Sequence, residues 1–242
     1  MNATVARLTA RTLLGRRRAR LLLTLPAVLL LLCGAARLLA GPDTGVSVGL
    51  LGGFALGTVV PLLGLIAGAG AIGPEIDDGS IVYLMSKPLS RHAIVRSKLA
   101  VAVAVVTVVA AVPTLLAGLV LLGTAEGVAV GYAVGAGVAG LAYCALFVLL
   151  AIVTRNAVVV GLIYVLIWES LVGSFVPGAQ VLSIQQWALA VTERVLGSSA
   201  GTLGVSSAVS FVTGVVLLAV VVAGCTWFAG TRLRTLQLTA SE

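Results

Sequence analysis

Long apolar runs separated by short polar breaks dominate this chain. They cover 21–40, 46–73, 99–122, 128–153, 157–175 and 208–229. A helix that crosses a bilayer needs about 20 apolar residues, and each run comes close to or exceeds that length. The pattern predicts an all-α integral membrane protein, a bundle of about six spans forming one transmembrane domain over 1–242. The stretch from Thr44 to Pro74 is longer than a core of about 30 Å requires at about 1.5 Å per residue, so it tilts, breaks or projects. Pro26, Pro61 and Pro113 lie inside runs and predict kinks. Gly53 and Gly57, Gly64 and Gly68, and Gly131 and Gly135 are four residues apart, a spacing that lets helix backbones approach closely.

Composition agrees with this pattern. Hydrophobic residues make up 60% of the 242, charged residues only 10%, and mean hydropathy is +1.19. A soluble domain carries about 25% charged residues, so lipid is the expected solvent. The net charge of +7 would suggest nucleic acid in a soluble protein. Here it is better read as Lys and Arg gathered at the cytoplasmic ends of spans, with no nucleic-acid partner. With the N-terminus inside, 13 of the 15 basic residues fall on the inner side, and only Arg37 and Arg194 fall outside. Both termini are therefore expected in the cytoplasm. A leader cleaved near 36–40 is the alternative at the N-terminus, but Arg37 sits badly before such a site and a retained span fits better. The weight of Ala, Val, Gly and Arg suits a GC-rich bacterial genome, hence a bacterial plasma membrane.

Candidate chemistry is sparse. Cys33, Cys144 and Cys225 lie in apolar runs without a CxxC pair and read as small buried apolar residues, with no metal site expected. His92 is the only histidine, and no nucleophile has a base arranged beside it, so no catalytic residue and no enzyme activity are expected. The polar segment 75–98, GPEIDDGSIVYLMSKPLSRHAIVRSKLAV with its flanks, stands out. Pro74 suits a first helical turn with Glu75, Asp77 and Asp78 at a helix N-terminus. Ser90 can cap a new helix that carries Arg91, Arg96 and Lys98 into the third span. A short apolar patch between them suits either a protein partner or an interfacial loop held by headgroups.

Glu169 lies about 18 Å into the fifth span by helical rise. An uncompensated charge there costs at least about 2.5 kcal/mol. Either it is a functional intramembrane carboxylate, or the helix ends early and turns back. Pro177 and Gly178 favour the second reading. Ile184, Trp187, Val191 and Val195 recur at near-helical spacing, as in a short interfacial helix with Trp187 at the headgroups.

The segment after the second span resembles the signature of ABC transporter permeases of the ABC-2 type, roughly E-x-E-x-G-T, an apolar stretch, then S-x-P-x-S-R and a Lys entering the next span. Glu75, Asp77, Gly79 and Ser80 match the first part, with Asp77 standing for Glu and Ser80 for Thr. Ser86, Pro88, Ser90 and Arg91 match the second, and Ile94 and Lys98 the last. The resemblance implies a permease subunit of an ATP-driven exporter that pairs with a second copy or a homologous permease. It also implies that a cytoplasmic ATPase docks on Glu75, Asp77, Gly79, Ser80, Pro88, Ser90 and Arg91 through a coupling helix, and that a re-entrant or interfacial helix follows the fifth span. No G-x-x-x-x-G-K-[ST] loop occurs in the chain, so this chain is expected to hold no cofactor and the partner subunit to bind the ATP. The competing reading is a self-contained secondary transporter or channel. Such proteins place ionisable residues in several spans, whereas here Glu169 alone is deep.

Overall fold

The computed structural model describes residues 3–13, 15–77, 91–124, 127–172 and 178–235, all of it helix and connections with no strand among the described residues. An amphipathic helix, α1 (Ala3–Leu13), precedes α2 (Arg16–Ala40). A long second rod follows: α3 (Thr44–Val48), a π-helical stretch over Gly49–Val59, and α4 (Val60–Asp77). Then come α5 (Arg91–Leu122), α6 (Val128–Val153), α7 (Ala157–Ile163) with its π-helical continuation Tyr164–Val172, α8 (Ile184–Leu196), the short α9 (Ser199–Thr202) and α10 (Phe211–Thr235).

Among the described residues, five stretches are long and apolar enough to cross a membrane: Arg18–Ala40, Thr44–Glu75, Ile94–Leu122, Val128–Val153 and Phe211–Leu233. The fifth run expected from the sequence, 157–175, yields a shorter apolar helix over Ala157–Ser170. Its backbone widens into π-helix from Tyr164, and 173–177 lie outside the described residues.

The core follows from where the apolar side chains are small. α6 is the hub, packing against α4, α5, α8 and α10. Its contact with α4 is close because Gly64 and Gly68 face Tyr143 and Phe147. A Cβ at Gly64 would come within 2.6 Å of Tyr143 Cβ, and one at Gly68 within 2.9 Å of Phe147 Cβ. Gly131 and Gly135 do the same for α8, meeting Leu196 and Thr192. Two of the three expected glycine pairs therefore sit at helix seams. With lipid outside, such contacts win by dispersion and close packing rather than by escape from water.

The prolines have separate fates. Pro26 and Pro113 lie inside α2 and α5. Pro61 is the second residue of α4, just after the π-helical stretch, where Val60 N–H still donates to Ala55 O, five residues back. The long 46–73 run thus spans one rod with a widened first half rather than one uniform helix. Cys33 and Cys144 are buried thiols, as their apolar settings predicted, whereas Cys225 is only half-buried.

Candidate functional site

Two polar centres interrupt this apolar bundle. The first is the junction between the second rod and α5. Pro74, Glu75 and Asp77 are in the last turn of α4, not the first turn of a new helix. This corrects the expected N-terminal placement of the acids. Proline lacks an N–H and crowds the carbonyl four residues back, yet the helix runs on past Pro74 to Asp77, with Gly70 O taken instead by Arg18 Nη1 at 2.8 Å. Acids at a helix C-terminus face the negative end of its dipole and need a cation. Lys98 supplies it: Nζ donates to Glu75 Oε1 at 2.6 Å and to Ala71 O at 2.7 Å. The Lys98 side chain is 1% exposed and that of Glu75 21%. Glu75 Oε2 is buried without a hydrogen-bond partner among the described residues.

Lys98 therefore does not belong to a solvated loop. It lies one full turn into the buried part of α5, after Ile94 and Val95, which are also buried. The polar segment is correspondingly narrower than 75–98. The helix on one side runs to Asp77 and the helix on the other starts at Arg91, where Ser90 was expected to cap it. Gly79, Ser80, Pro88 and Ser90, together with the apolar patch and the expected coupling helix, lie outside the described residues. α1 packs beside this end of the bundle, against α5 and α4.

The second centre is Glu169, fully buried in the π-helical stretch Tyr164–Val172. Its Oε1 accepts from Tyr164 Oη at 3.1 Å and from Ile184 N at 3.1 Å, and its Oε2 accepts from Ser183 Oγ at 2.5 Å. Ser183 is the N-cap of α8, with its oxygen also accepting from Gln186 N. The carboxylate thus closes the N-terminus of α8, where free N–H groups and the positive dipole end favour an anion. Next to it, Gln185 Nε2 donates to Gly52 O at 2.9 Å, fastening α8 to the other π-helical stretch.

These contacts locate α8 along the bundle. Its first turn meets Gly52 and Gly57, well inside the second rod, and its last turn meets Gly131, near the start of α6. It therefore begins partway into the bundle and climbs to one end. The expected apolar face is present, with Ile184, Trp187 and Val191 buried, while Val195 is exposed. Trp187 is 4% exposed and packed inside, with Nε1 donating to Val181 O at 2.7 Å, rather than standing at a headgroup surface. The partners of Glu169 were not singled out from the sequence. The available signal was Ser183, a good N-cap residue ahead of a periodic apolar run.

The described residues hold no cluster of His, Cys, Asp and Glu suited to a metal ion. No protein of curated function matches the chain. A family model described as ABC-2 family transporter protein matches residues 43–231, which takes in both polar centres.

Proposed function

Because the chain belongs to the ABC-2 family of transporter proteins, we propose that it is the membrane-spanning permease subunit of an ATP-driven exporter in a bacterial plasma membrane. Its energy comes from a separate ATPase subunit on the cytoplasmic side. A second permease, identical or homologous, completes the pathway. The chain crosses the membrane six times, Ala157–Ser170 serving as the short fifth crossing that the following helix supports, and both ends are cytoplasmic. The positive-inside count supports that orientation.

The observation that carries the coupling role is the ion pair at the base of the 78–90 segment. Glu75 and Lys98 join the helix that enters the segment to the helix that leaves it. A push on the segment is therefore delivered to two spans together, not absorbed in a hinge. ATP binding closes the ATPase subunits, the docked segment moves with them, and the spans repack about the permease interface as rigid bodies. Arg91, Asp77, Gly79, Ser80, Pro88 and Ser90 form the docking face in this reading, and Glu75 fixes its base.

Recovery of the tagged chain from its native membranes in mild detergent tests this. An ATPase subunit should co-purify with the wild type and be lost from Arg91→Ala. Transport should fall in Arg91→Ala and Glu75→Ala while both stay in the membrane. Transport-competent protein recovered repeatedly without any ATPase would transfer the assignment to a self-contained transporter.

A further inference from the structure

A groove of about 520 Å³ opens between α2, α4 and the tight turn from α6 to α7, within the range of about 300–1,000 Å³ typical of small-molecule sites. One end is basic. Arg18 from α2 and Arg155 from the turn both line it, with the Asn156 amide beside them. No acid is among the described lining residues. Glu75, next to the lining Pro74, is already engaged by Lys98. The rest of the wall is aliphatic, including Leu62, Ile66 and Leu162.

We propose that this groove binds an anionic phospholipid of the adjoining leaflet, phosphate between Arg18 and Arg155 and the start of an acyl chain along Leu62, Ile66 and Leu162. Two guanidinium groups, one on α2 and one in the turn after α6, suit the two non-bridging oxygens of a tetrahedral phosphodiester. Arg18 is positioned for this, since one of its N–H groups donates to Gly70 O at 2.8 Å and fixes the side chain against α4, leaving its remaining donors for a ligand. Arg155 is exposed, and its charge has no acidic partner among the described residues. A free phosphate would use only the basic end and leave the aliphatic wall uncovered. A lipid uses both, and basic pockets between spans on the cytoplasmic side suit such headgroups. Assignment to the inner leaflet rests on the orientation proposed above.

Native mass spectrometry of the purified full-length chain, titrated with phosphatidylglycerol or phosphatidylcholine, tests the site. The wild type should retain one phosphatidylglycerol per chain at about tenfold lower concentration than phosphatidylcholine, the effect of a charged contact worth about 1.4 kcal/mol. Arg155→Gln should erase that preference, and Leu162→Trp, which fills the groove, should weaken both lipids. Arg194→Gln, far along the chain at the opposite end, should change neither. Equal retention of the two lipids by the wild type, or an unchanged preference in Arg155→Gln, overturns the proposal. The readout needs no ATPase. Absent lipid selectivity with the ATPase still recovered refutes only the lipid site, and selectivity without any ATPase refutes only the permease reading.

Discussion

Glu75 and Glu169 each bring a carboxylate into an apolar bundle, and they are accommodated by opposite means. Glu75 meets a cation: one oxygen takes the Lys98 ammonium at 2.6 Å, and the other has no hydrogen-bond partner among the described residues. Glu169 meets no cation among the described residues. It is surrounded by neutral donors, two hydroxyls and one backbone N–H. The ion pair concentrates its strength in one contact between two helices that flank a polar segment. The neutral cage spreads it over three contacts and pins the start of one helix. In the coupling role proposed above the first arrangement would carry displacement between spans, whereas the second holds one helix in place. An ionisable residue deep in a span is therefore not by itself a sign of ion transport: what surrounds it decides.

The largest effect should come from the cage. Glu169→Leu orphans three donors at about 1–3 kcal/mol each, roughly 6 kcal/mol together, and should abolish the monodisperse peak in size-exclusion chromatography. Glu169→Gln keeps an acceptor and should lose far less. If the two variants behave alike, the cage is not what holds α8. Next in size is the ion pair. Lys98→Met leaves a partly buried carboxylate unpaired and should cost about 3–5 kcal/mol, read as a lowered melting temperature in detergent. Adding Glu75→Gln to it should restore part of the loss, a coupling of about 1 kcal/mol or more in a double-mutant cycle. Strict additivity would show that the two residues do not act as a pair.

A smaller change probes the packing between the two centres. Gly64→Ala pushes α4 from α6 at Tyr143 and should cost about 1–3 kcal/mol by overpacking, with the melting curve shifting as a single transition. Two separated transitions would mean that the halves of the bundle melt independently. The mildest is Ser183→Ala, which removes a cap and one donor to Glu169 for about 1 kcal/mol. A null effect there would place the strength of the cage in Tyr164 and Ile184.

Five of the six expected spans were readable from the sequence because long apolar runs need only length and lack of charge. The fourth, 128–153, coincides with the helix Val128–Val153. Polar residues at the ends of runs were harder. Lys98 reads as the last basic residue of the polar segment, on the helix entering the third span, yet a long aliphatic side chain and one acid across the helix pair draw it inside. The acids of α4 read as a helix start because Pro74 precedes them, whereas the helix carries on through them and the tertiary contact with Lys98 compensates Glu75 there. For Glu169, its interruption of an apolar run predicted that something unusual happens there. Pro177 and Gly178 signalled a turn, but not which residues beyond it meet Glu169: that Ser183 and Ile184 do so depends on tertiary packing. The groove between Arg18 and Arg155 joins residues more than half the chain apart and has no local signature at all.

The order of these partners along the chain also sets a schedule during synthesis. Glu169 leaves the ribosome with Tyr164 already made, but Ser183 follows 14 residues later. At about 5–20 residues per second that is a wait of roughly one to three seconds. Lys98 trails Glu75 by 23 residues, a somewhat longer interval. Each carboxylate thus emerges before its main partner does, and the short apolar helix Ala157–Ser170 reaches the membrane with its acid uncaged. The cage closes only when α8 has followed, so a pause in translation between the two would prolong the interval in which the acid lacks the Ser183 and Ile184 donors.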